Sequence, residues 1–118
     1  MSRLRKLAAS VASLIVAGTV FATPAFAINT APCGTRTDFF KVWYNSGANT
    51  VCYANNGGVP VSYHNVTRIT TGNNSGNFEL YQTLSDGSIS GGYWYFAHYT
   101  VLNFNPKGNL YYITITGR

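Results

Sequence analysis

The stretch NFELYQTL, residues 77–84, alternates apolar and polar side chains at every second position. Phe78, Leu80 and Leu84 would share one face of an extended chain, and most of the residues between them would share the other. Aromatic, aliphatic and β-branched residues in such an alternation favour a strand with one buried face. The stretch therefore predicts a β-strand that packs on a core, and its period of two recurs in the segments around it.

The same pattern returns along the chain after residue 27, where no segment shows the 3.6-residue period of a helix. In NLYYITITG, residues 109–117, Tyr111, Ile113 and Ile115 are predicted to share one face. Segments rich in Gly, Asn and Ser separate the apolar stretches and are typical of turns. Eight strands are predicted, at residues 38–44, 50–54, 59–64, 66–71, 77–84, 92–97, 98–103 and 109–116. Many short strands with such connections indicate an all-β sandwich or small barrel.

A signal peptide is predicted at residues 1–27. Three basic residues within the first six positions precede an apolar segment, and Ala25 and Ala27 form an A-x-A cleavage pattern. The apolar segment is short and interrupted by Ser and Thr, which favours export over a stable membrane anchor. We therefore expect a secreted, extracellular protein with one domain at residues 28–118.

Charge gives little indication of a nucleic-acid partner. After residue 27, five Lys and Arg residues stand against three Asp and Glu residues, and the five are scattered along the sequence. Nucleic-acid binding requires clustered cations that displace counterions from phosphates. We therefore predict no nucleic-acid partner.

Cys33 and Cys52 are the two cysteines of the chain, and both follow the predicted cleavage site. An even pair in an exported protein predicts a disulfide. A bond that closes a loop of about 20 residues stabilises a fold by on the order of 3 kcal/mol. The contribution matters because a domain this small buries little surface.

Motifs for catalysis are missing from the sequence, which contains no serine elbow, phosphate-binding glycine loop or Cys/His zinc spacing. Glu79, His98 and Arg68 would supply the groups that a small ribonuclease needs for acid–base chemistry and phosphate binding. Such a trio occurs in most domains of this size, and only a shared geometry would give it meaning. We therefore predict that the protein is not an enzyme.

Aromatic residues are concentrated in GGYWYFAHY, residues 91–99. Alternation places Trp94 and Phe96 on one face, which we expect to be the core, and Tyr93 and Tyr95 on the other. These two tyrosines are the candidate binding surface, either for stacked sugar rings or for a protein partner. The alternative is that they only cover the outside of a small sheet.

Two long segments resemble a known family. They are INTAPCGTRTDFFKVWY, residues 28–44, and TVCYANNGGVPVSYHNVTRITTGNNSGNF, residues 50–78. The matching features are Cys33-Gly34, Asp38-Phe39, Cys52-Tyr53-Ala54-Asn55, Gly57, Val66 and Gly72-Asn73-Asn74. In this order they resemble the secreted killer-toxin-like proteins of streptomycetes, single-domain members of the βγ-crystallin superfamily. The resemblance implies two Greek-key motifs in a sandwich of two four-stranded sheets, and a link to growth-inhibiting toxins.

The chain departs from the family pattern at two places. Crystallin Greek keys carry an aromatic residue, four residues, a second aromatic, one residue and a glycine; Phe39 and Tyr44 fit, but Ser46 stands where glycine is expected. Calcium-binding members carry two Asn or Asp residues, two variable residues and a hydroxyl pair. Asn73 and Asn74 fit this motif, whereas residues 77–78 replace the hydroxyl pair.

The segment TTGNNSGN, residues 70–77, is therefore predicted to be a turn built from residues that tolerate left-handed backbone. Calcium prefers several hard oxygens, carboxylates among them, and the segment has none. We predict no cofactor, and a weak calcium site at Asn73 and Asn74 remains the alternative.

These observations predict a secreted, non-enzymatic βγ-crystallin-like monomer that inhibits the growth of competing cells. Its partner would be a protein or glycan at a cell surface or in the extracellular medium. Two alternatives stay open: a secreted protease inhibitor of the same fold, as in a related metalloprotease-inhibiting branch, presenting a loop such as residues 85–92, and a carbohydrate-binding module.

Overall fold

The computed structural model describes residues 28–117, which form seven strands and no helix. The predicted signal peptide lies outside the described residues. The strands are β1 (Asn29–Ala31), β2 (Phe40–Tyr44), β3 (Asn49–Ala54), β4 (Gly57–Thr70), β5 (Ser75–Thr83), β6 (Ile89–Phe96) and β7 (Val101–Gly117). The all-β prediction is confirmed.

The strands are hydrogen-bonded in the order β1-β3-β2-β4-β7-β5-β6, and every pair is antiparallel. The two central strands, β4 and β7, are 14 and 17 residues long. The end of β4, at residues 68–70, pairs with β2 and with the start of β7, whereas residues 57–60 pair with the end of β7. Register shifts between Pro60 and Arg68 separate these two parts. Each central strand therefore contributes one half to each of two layers.

Ring contacts show that the two layers pack face to face. Phe40 in β2 and Phe96 in β6 are four strands apart in the hydrogen-bonded order, which would be about 19 Å in a flat sheet. Their ring centroids are 5.2 Å apart, and Phe40 also contacts Phe78 in β5 at 6.2 Å. The continuous sheet thus doubles over to form a two-layer sandwich, as predicted.

The strand count differs from the prediction for a local reason. The predicted strands at 59–64 and 66–71 are one strand, β4, and those at 98–103 and 109–116 are largely one strand, β7. The short β1 was not predicted. Asn65, with a φ of 55°, stands where a break was expected. Positive φ and bulges bend the strand here without ending its ladder of hydrogen bonds.

The core lies between the layers and confirms most of the predicted facing. Phe78 and Leu80 are fully buried, whereas Leu84 follows β5 and is exposed. Tyr111 was predicted to share a face with Ile113 and Ile115, which are buried, and this is wrong. The pairs Leu80↔Leu110 and Glu79↔Tyr112 leave one extra residue on β7, a bulge that turns the Tyr111 side chain outward to 40% exposure. The buried core side chains are Ile28, Phe40, Val42, Tyr53, Val66, Ile69, Phe78, Leu80, Phe96, Phe104, Leu110, Ile113 and Ile115.

Cys33 and Cys52 form the predicted disulfide, with their Cα atoms 5.3 Å apart. Cys52 lies in β3 opposite Ala31 of β1, and Cys33 follows β1 by two residues. The bond therefore fastens the outermost strand of the first layer to its neighbour.

Candidate functional site

The Asn-rich segment between β4 and β5 is a hydrogen-bonded turn. Asn74 is fully buried, and its Nδ2 donates to the carbonyl oxygens of Thr71 at 2.8 Å and Asp38 at 3.0 Å. The backbone N–H of Asn73 donates to the same Asp38 oxygen at 3.0 Å. Gly72 has a φ of 59°, and a Cβ there would lie 2.5 Å from the Asp38 carbonyl. The segment thus anchors the chain that leads into β2, and only glycine fits at position 72.

The turn offers few ligands for a cation. Asn74 Oδ1 is buried without a hydrogen-bond partner, and Asn73 Oδ1 lies 3.2 Å from His98 Nδ1. The Asp38 carboxylate is held by Arg36. Within residues 28–117, no group of three or more His, Cys, Asp or Glu side chains could hold a metal. A weak calcium site at Asn73 and Asn74 remains the alternative to the prediction of no cofactor, and neutral oxygens alone predict low affinity.

The candidate acid–base residues have separate partners. Glu79 in β5 accepts a 2.7 Å hydrogen bond from the Tyr81 hydroxyl, which raises the pKa of that phenol. His98 contacts Asn73, and Arg68 lies over the Trp43 ring in the other layer. The three groups do not contact one another in the described part of the chain.

Tyr93 and Tyr95 project outward from β6, and 67% and 81% of their surfaces are exposed. Trp94 faces inward, stacked on Phe78 with ring centroids 6.1 Å apart and an interplanar angle of 12°. Its Nε1 donates to the Leu80 carbonyl at 3.1 Å. The predicted orientation of this strand is confirmed, and a binding role for the two tyrosines remains a prediction.

The exposed tyrosines continue across the neighbouring strands. Tyr93 pairs with Glu79 of β5, which in turn pairs with Tyr112 of β7. Tyr81 and Tyr111 lie beside this row, with ring centroids 6.0 Å apart. Together these residues form the tyrosine strip, which consists of Tyr81, Tyr93, Tyr95, Tyr111 and Tyr112. Such a strip suits stacking on flat apolar surfaces, including the faces of sugar rings.

A second surface lies on the outer face of β2, β4 and β7. It is a groove of about 350 Å³, and we call it the basic groove. Its lining is Arg36, Thr37, Phe39, Lys41, Trp43, Arg68, Thr70, Gly72, Tyr99, Thr100 and Val101. The side chains come from three strands and from the segments that precede β2 and β7.

Strand pairing brings the cations of the basic groove together. Trp43 of β2 is paired with Arg68 of β4, and Lys41 lies two residues before Trp43 on the same face. The Lys41 Nζ and the Arg68 guanidinium carbon lie 4.7 and 4.9 Å from the Trp43 ring centroid. The Arg36 guanidinium lies 4.3 Å from the centroid of Phe39. Each distance is within the range of an attractive cation–π contact.

The scattered cations of the sequence are therefore gathered in the fold. Within the described part of the chain, Arg36 alone of the three is paired with a carboxylate, that of Asp38, and this hydrogen bond raises the pKa of the guanidinium. Sequence reasoning missed the groove because Lys41 and Arg68 are distant in the chain. The available signal was the alternating pattern of residues 39–43 and of residues 68–70, which predicts two strands. The sequence does not show that these two strands pair.

The basic groove and the tyrosine strip lie on opposite faces of the sandwich. Lys41 and Trp43 alternate with Phe40 and Val42, which are fully buried in the core. On the other layer Tyr93 and Tyr95 likewise alternate with inward-facing residues. The protein thus presents two distinct aromatic surfaces, and one of them is cationic.

Comparisons with known proteins identify the family. The family model for Beta/Gamma crystallin matches residues 40–113, more than half of the chain, so the protein belongs to the beta/gamma crystallin family. This confirms the βγ-crystallin fold. Among solved structures, the chain is similar to the antifungal protein from Streptomyces tendae Tu901. The TM-score is 0.55 and the identity is 25%, and the match covers 77% of this chain and 99% of that chain.

Two further findings bear on relationships and topology. No curated protein sequence matches this chain. The described part of the chain contains no helix of the length and apolarity needed to cross a membrane.

Proposed function

We propose that the protein is exported and, as a monomer, inhibits the growth of competing cells by binding rather than by catalysis. The observation that carries the proposal is the likeness to the Streptomyces tendae antifungal protein, which extends over 99% of that chain. The Cys33–Cys52 disulfide supports the proposed export, because such bonds persist in oxidising compartments.

Binding rather than catalysis is supported by where the titratable groups lie. The residues with acid–base or phosphate-binding chemistry are Glu79, His98 and Arg68. They lie apart, and each contacts a different partner. A catalytic base must reach its substrate together with an acid or a charge stabiliser. The two aromatic surfaces supply contact area instead, which is what recognition of a cell surface requires.

The test is to apply residues 28–118, produced with the disulfide formed, to fungal and bacterial cells and to score both binding and growth. We expect saturable binding to fungal cells and slower growth. The variant Cys33→Ser with Cys52→Ser tests whether the disulfide-bonded fold is required, because it removes the bond and leaves every exposed aromatic residue in place. Cells that neither bind the protein nor slow their growth, across several fungal and bacterial species, would refute the proposal.

Carbohydrate binding is the second candidate, and the exposed tyrosine strip favours it. If sugars stack there, Tyr93→Ala with Tyr95→Ala should leave the melting curve unchanged and abolish binding to insoluble polysaccharides, because exposed rings contribute little to the core. Ile89→Ala, at an exposed apolar residue that belongs neither to the tyrosine strip nor to the basic groove, is the control. If the tyrosine variant bound polysaccharide as well as the unchanged protein, these residues would only cover the outside of the sheet.

The protease-inhibitor alternative has less support from the geometry. Half of the predicted loop at 85–92 is strand, since β6 begins at Ile89, and only a short turn remains. Leu84 and Ser88 close that turn by a 2.8 Å backbone hydrogen bond. Asp86 accepts bonds from the Ser88 hydroxyl and N–H, which lower the pKa of its carboxyl. A turn this tight offers a protease cleft little extended chain.

A further inference from the structure

The charge of the basic groove is one-sided. Three of the four Lys and Arg residues between 28 and 117 line it, and no Asp or Glu does. Lys41 and Arg68 contact Trp43 and form no ion pair within the described residues. An anionic group that enters the groove would therefore meet two cations that form no ion pair within residues 28–117.

The groove also holds unused hydrogen-bonding groups. The indole Nε1 of Trp94 donates to a carbonyl, whereas that of Trp43 has no partner among the described residues and is not sealed from solvent. The hydroxyls of Thr37 and Thr70 make no hydrogen bond within residues 28–117 either. A buried or half-buried indole N–H ordinarily finds a partner. These groups are available to a ligand that carries several oxygen atoms.

Four further residues of the lining are aromatic or apolar and at least partly exposed. Tyr99, at 68% exposure, and Val101 stand at one side of the groove, and Phe39 and Trp43 contribute ring surface. Sugar rings combine an apolar face, which stacks on aromatic side chains, with a rim of hydroxyls. A sugar that bears an acidic group would use the rings, the free donors and the cations of this groove together.

We propose that the basic groove binds an anionic sugar unit, a pyranose that bears a carboxylate or a phosphate, within an extracellular polymer. Arg68 would hold the acidic group, since its planar guanidinium suits bidentate contact with either oxyanion. Lys41 adds a second positive charge, and Trp43 Nε1 donates to a ring or hydroxyl oxygen. The biological meaning of this site rests on the proposed function, because it names the class of polymer through which the protein would recognise a target cell.

A nucleic acid fits this groove less well. Binding to a single strand depends on a track of cations that follows successive phosphates. Here two of the three cations contact one indole and the third contacts Phe39, whereas the fourth described cation, Lys107, lines a separate pocket with Asn65 and Asn109. A volume of about 350 Å³ is at the small end of the range for ligand sites, which suits one unit of a polymer.

Binding assays with defined polymers test the site. Disulfide-bonded protein comprising residues 28–118 is titrated by calorimetry with polygalacturonate, which carries carboxylates, and with phosphomannan, which carries phosphates. Dextran is the neutral control, and a mixed-sequence single-stranded oligonucleotide is the competing polyanion. We expect one or both anionic polysaccharides to bind, with affinity that falls as salt rises, and dextran to be inert.

Matched variants locate the contact. Arg68→Gln should weaken binding by about tenfold, as loss of a charge-assisted contact predicts. Trp43→Phe, which keeps a ring but removes the Nε1 donor, should weaken it by about threefold. Lys107→Gln removes the same charge outside the groove and should change affinity by less than about twofold. Circular dichroism confirms that each variant is folded.

Four results would overturn the site: no binding to either anionic polysaccharide, equal or tighter binding to dextran, tighter binding to the oligonucleotide, or equal losses in Arg68→Gln and Lys107→Gln. The growth assay separates this proposal from the previous one. Growth inhibition without anionic-polysaccharide binding would refute the groove assignment alone. Binding that is lost in Arg68→Gln, in a protein that never slows growth, would refute only the proposed growth inhibition.

Discussion

Ser46 stands where the family motif has glycine, and its backbone lies in the left-handed region that glycine favours. Its φ is 61°, and its N–H donates to the Asn65 carbonyl at 2.9 Å, so the β2–β3 turn docks on β4. The departure seen in the sequence is therefore one of residue type and not of geometry. A side chain in the left-handed region costs roughly 1–2 kcal/mol, and the turn's contacts hold Ser46 there.

Replacing Ser46 with glycine should stabilise the protein. Relief of the left-handed conformation is partly offset by the greater freedom of glycine in the unfolded chain, about 0.4–1 kcal/mol. We expect Ser46→Gly to raise the free energy of unfolding by about 0.5–1 kcal/mol, as measured by urea denaturation. Ala48→Gly, in the same turn but without positive φ, should lower it by about 0.5 kcal/mol. Destabilisation by both changes would show that the Ser46 side chain makes a contribution of its own.

The hydroxyls of Tyr53 and Tyr63 lie 2.6 Å apart where β3 faces β4. Burial, with the hydrogen bond to Tyr63 as a second cause, raises the pKa of Tyr53 well above its usual value. A raised folded-state pKa means that the stabilising effect is complete below the unfolded value, about 10. It is lost as the pH rises further, because deprotonation then favours the unfolded chain.

Tyr53→Phe should therefore flatten the loss of stability above pH 10. The measurement is urea denaturation from pH 8 to pH 11, in which the wild type should weaken more steeply than the variant. Tyr95→Phe, at an exposed tyrosine of the other layer, is the control and should follow the wild type. Parallel curves for the wild type and Tyr53→Phe would place the alkaline weakness elsewhere.

At the scale of strands, the sequence predicted what each segment is but not how far it runs. Period-two alternation located Phe78, Leu80, Ile113 and Ile115 correctly on the core side, because burial of one face follows from local pattern. It could not predict that β4 and β7 continue through their bends, since bulges depend on the partner strand. The facing predicted for Tyr111 was wrong for the same reason, since the bulge in β7 interrupts the alternation at that residue.

The two candidate sites also differ in whether the sequence could predict them. Tyr93 and Tyr95 could be predicted because their exposure follows from alternation within one strand. The basic groove could not, because Trp43 and Arg68 meet only through the pairing of β2 with β4. Long-range pairing leaves no local signal in a single sequence.

The disulfide should contribute a large share of the stability of this small domain. Cys33→Ser with Cys52→Ser is expected to lower the free energy of unfolding by about 2–4 kcal/mol, because the unfolded chain regains the entropy of an open loop. Urea denaturation of the variant and the wild type measures the difference. Mass spectrometry after alkylation without reduction is the companion test, and uptake of two alkyl groups by the protein would disprove the bond.

For the whole molecule, the two-faced sandwich makes the two tryptophans into independent reporters. Trp94 lies inward between Phe78 and Phe104, with ring centroids 6.1 and 5.4 Å away, whereas Trp43 lines the basic groove. Binding of a target in the basic groove should change the environment of Trp43 and leave that of Trp94 unchanged.

Single-tryptophan variants test this arrangement. Trp43→Phe, which retains Trp94, should emit at shorter wavelength and resist quenching by iodide. Trp94→Phe, which retains Trp43, should emit at longer wavelength and be quenched strongly, because nearby cations attract iodide. Trp94→Ala should also cost about 3 kcal/mol of stability. The reverse ranking of the two emission maxima would exchange the inner and outer faces and move both candidate surfaces.

The short strand β1 has a consequence for solubility that depends on redox state. It covers the hydrogen-bonding edge of β3, whose sequence NTVCYA carries no charge, and the disulfide holds it there. An uncovered, uncharged edge is a template for pairing between chains. We predict that the reduced protein associates edge to edge. Its light scattering should rise with concentration, whereas that of the oxidised protein should stay constant. A constant signal from both would mean that β1 stays in place without its bond. A chain in which this bond has not yet formed would then remain monomeric only if its surroundings prevent β3 from pairing with another copy.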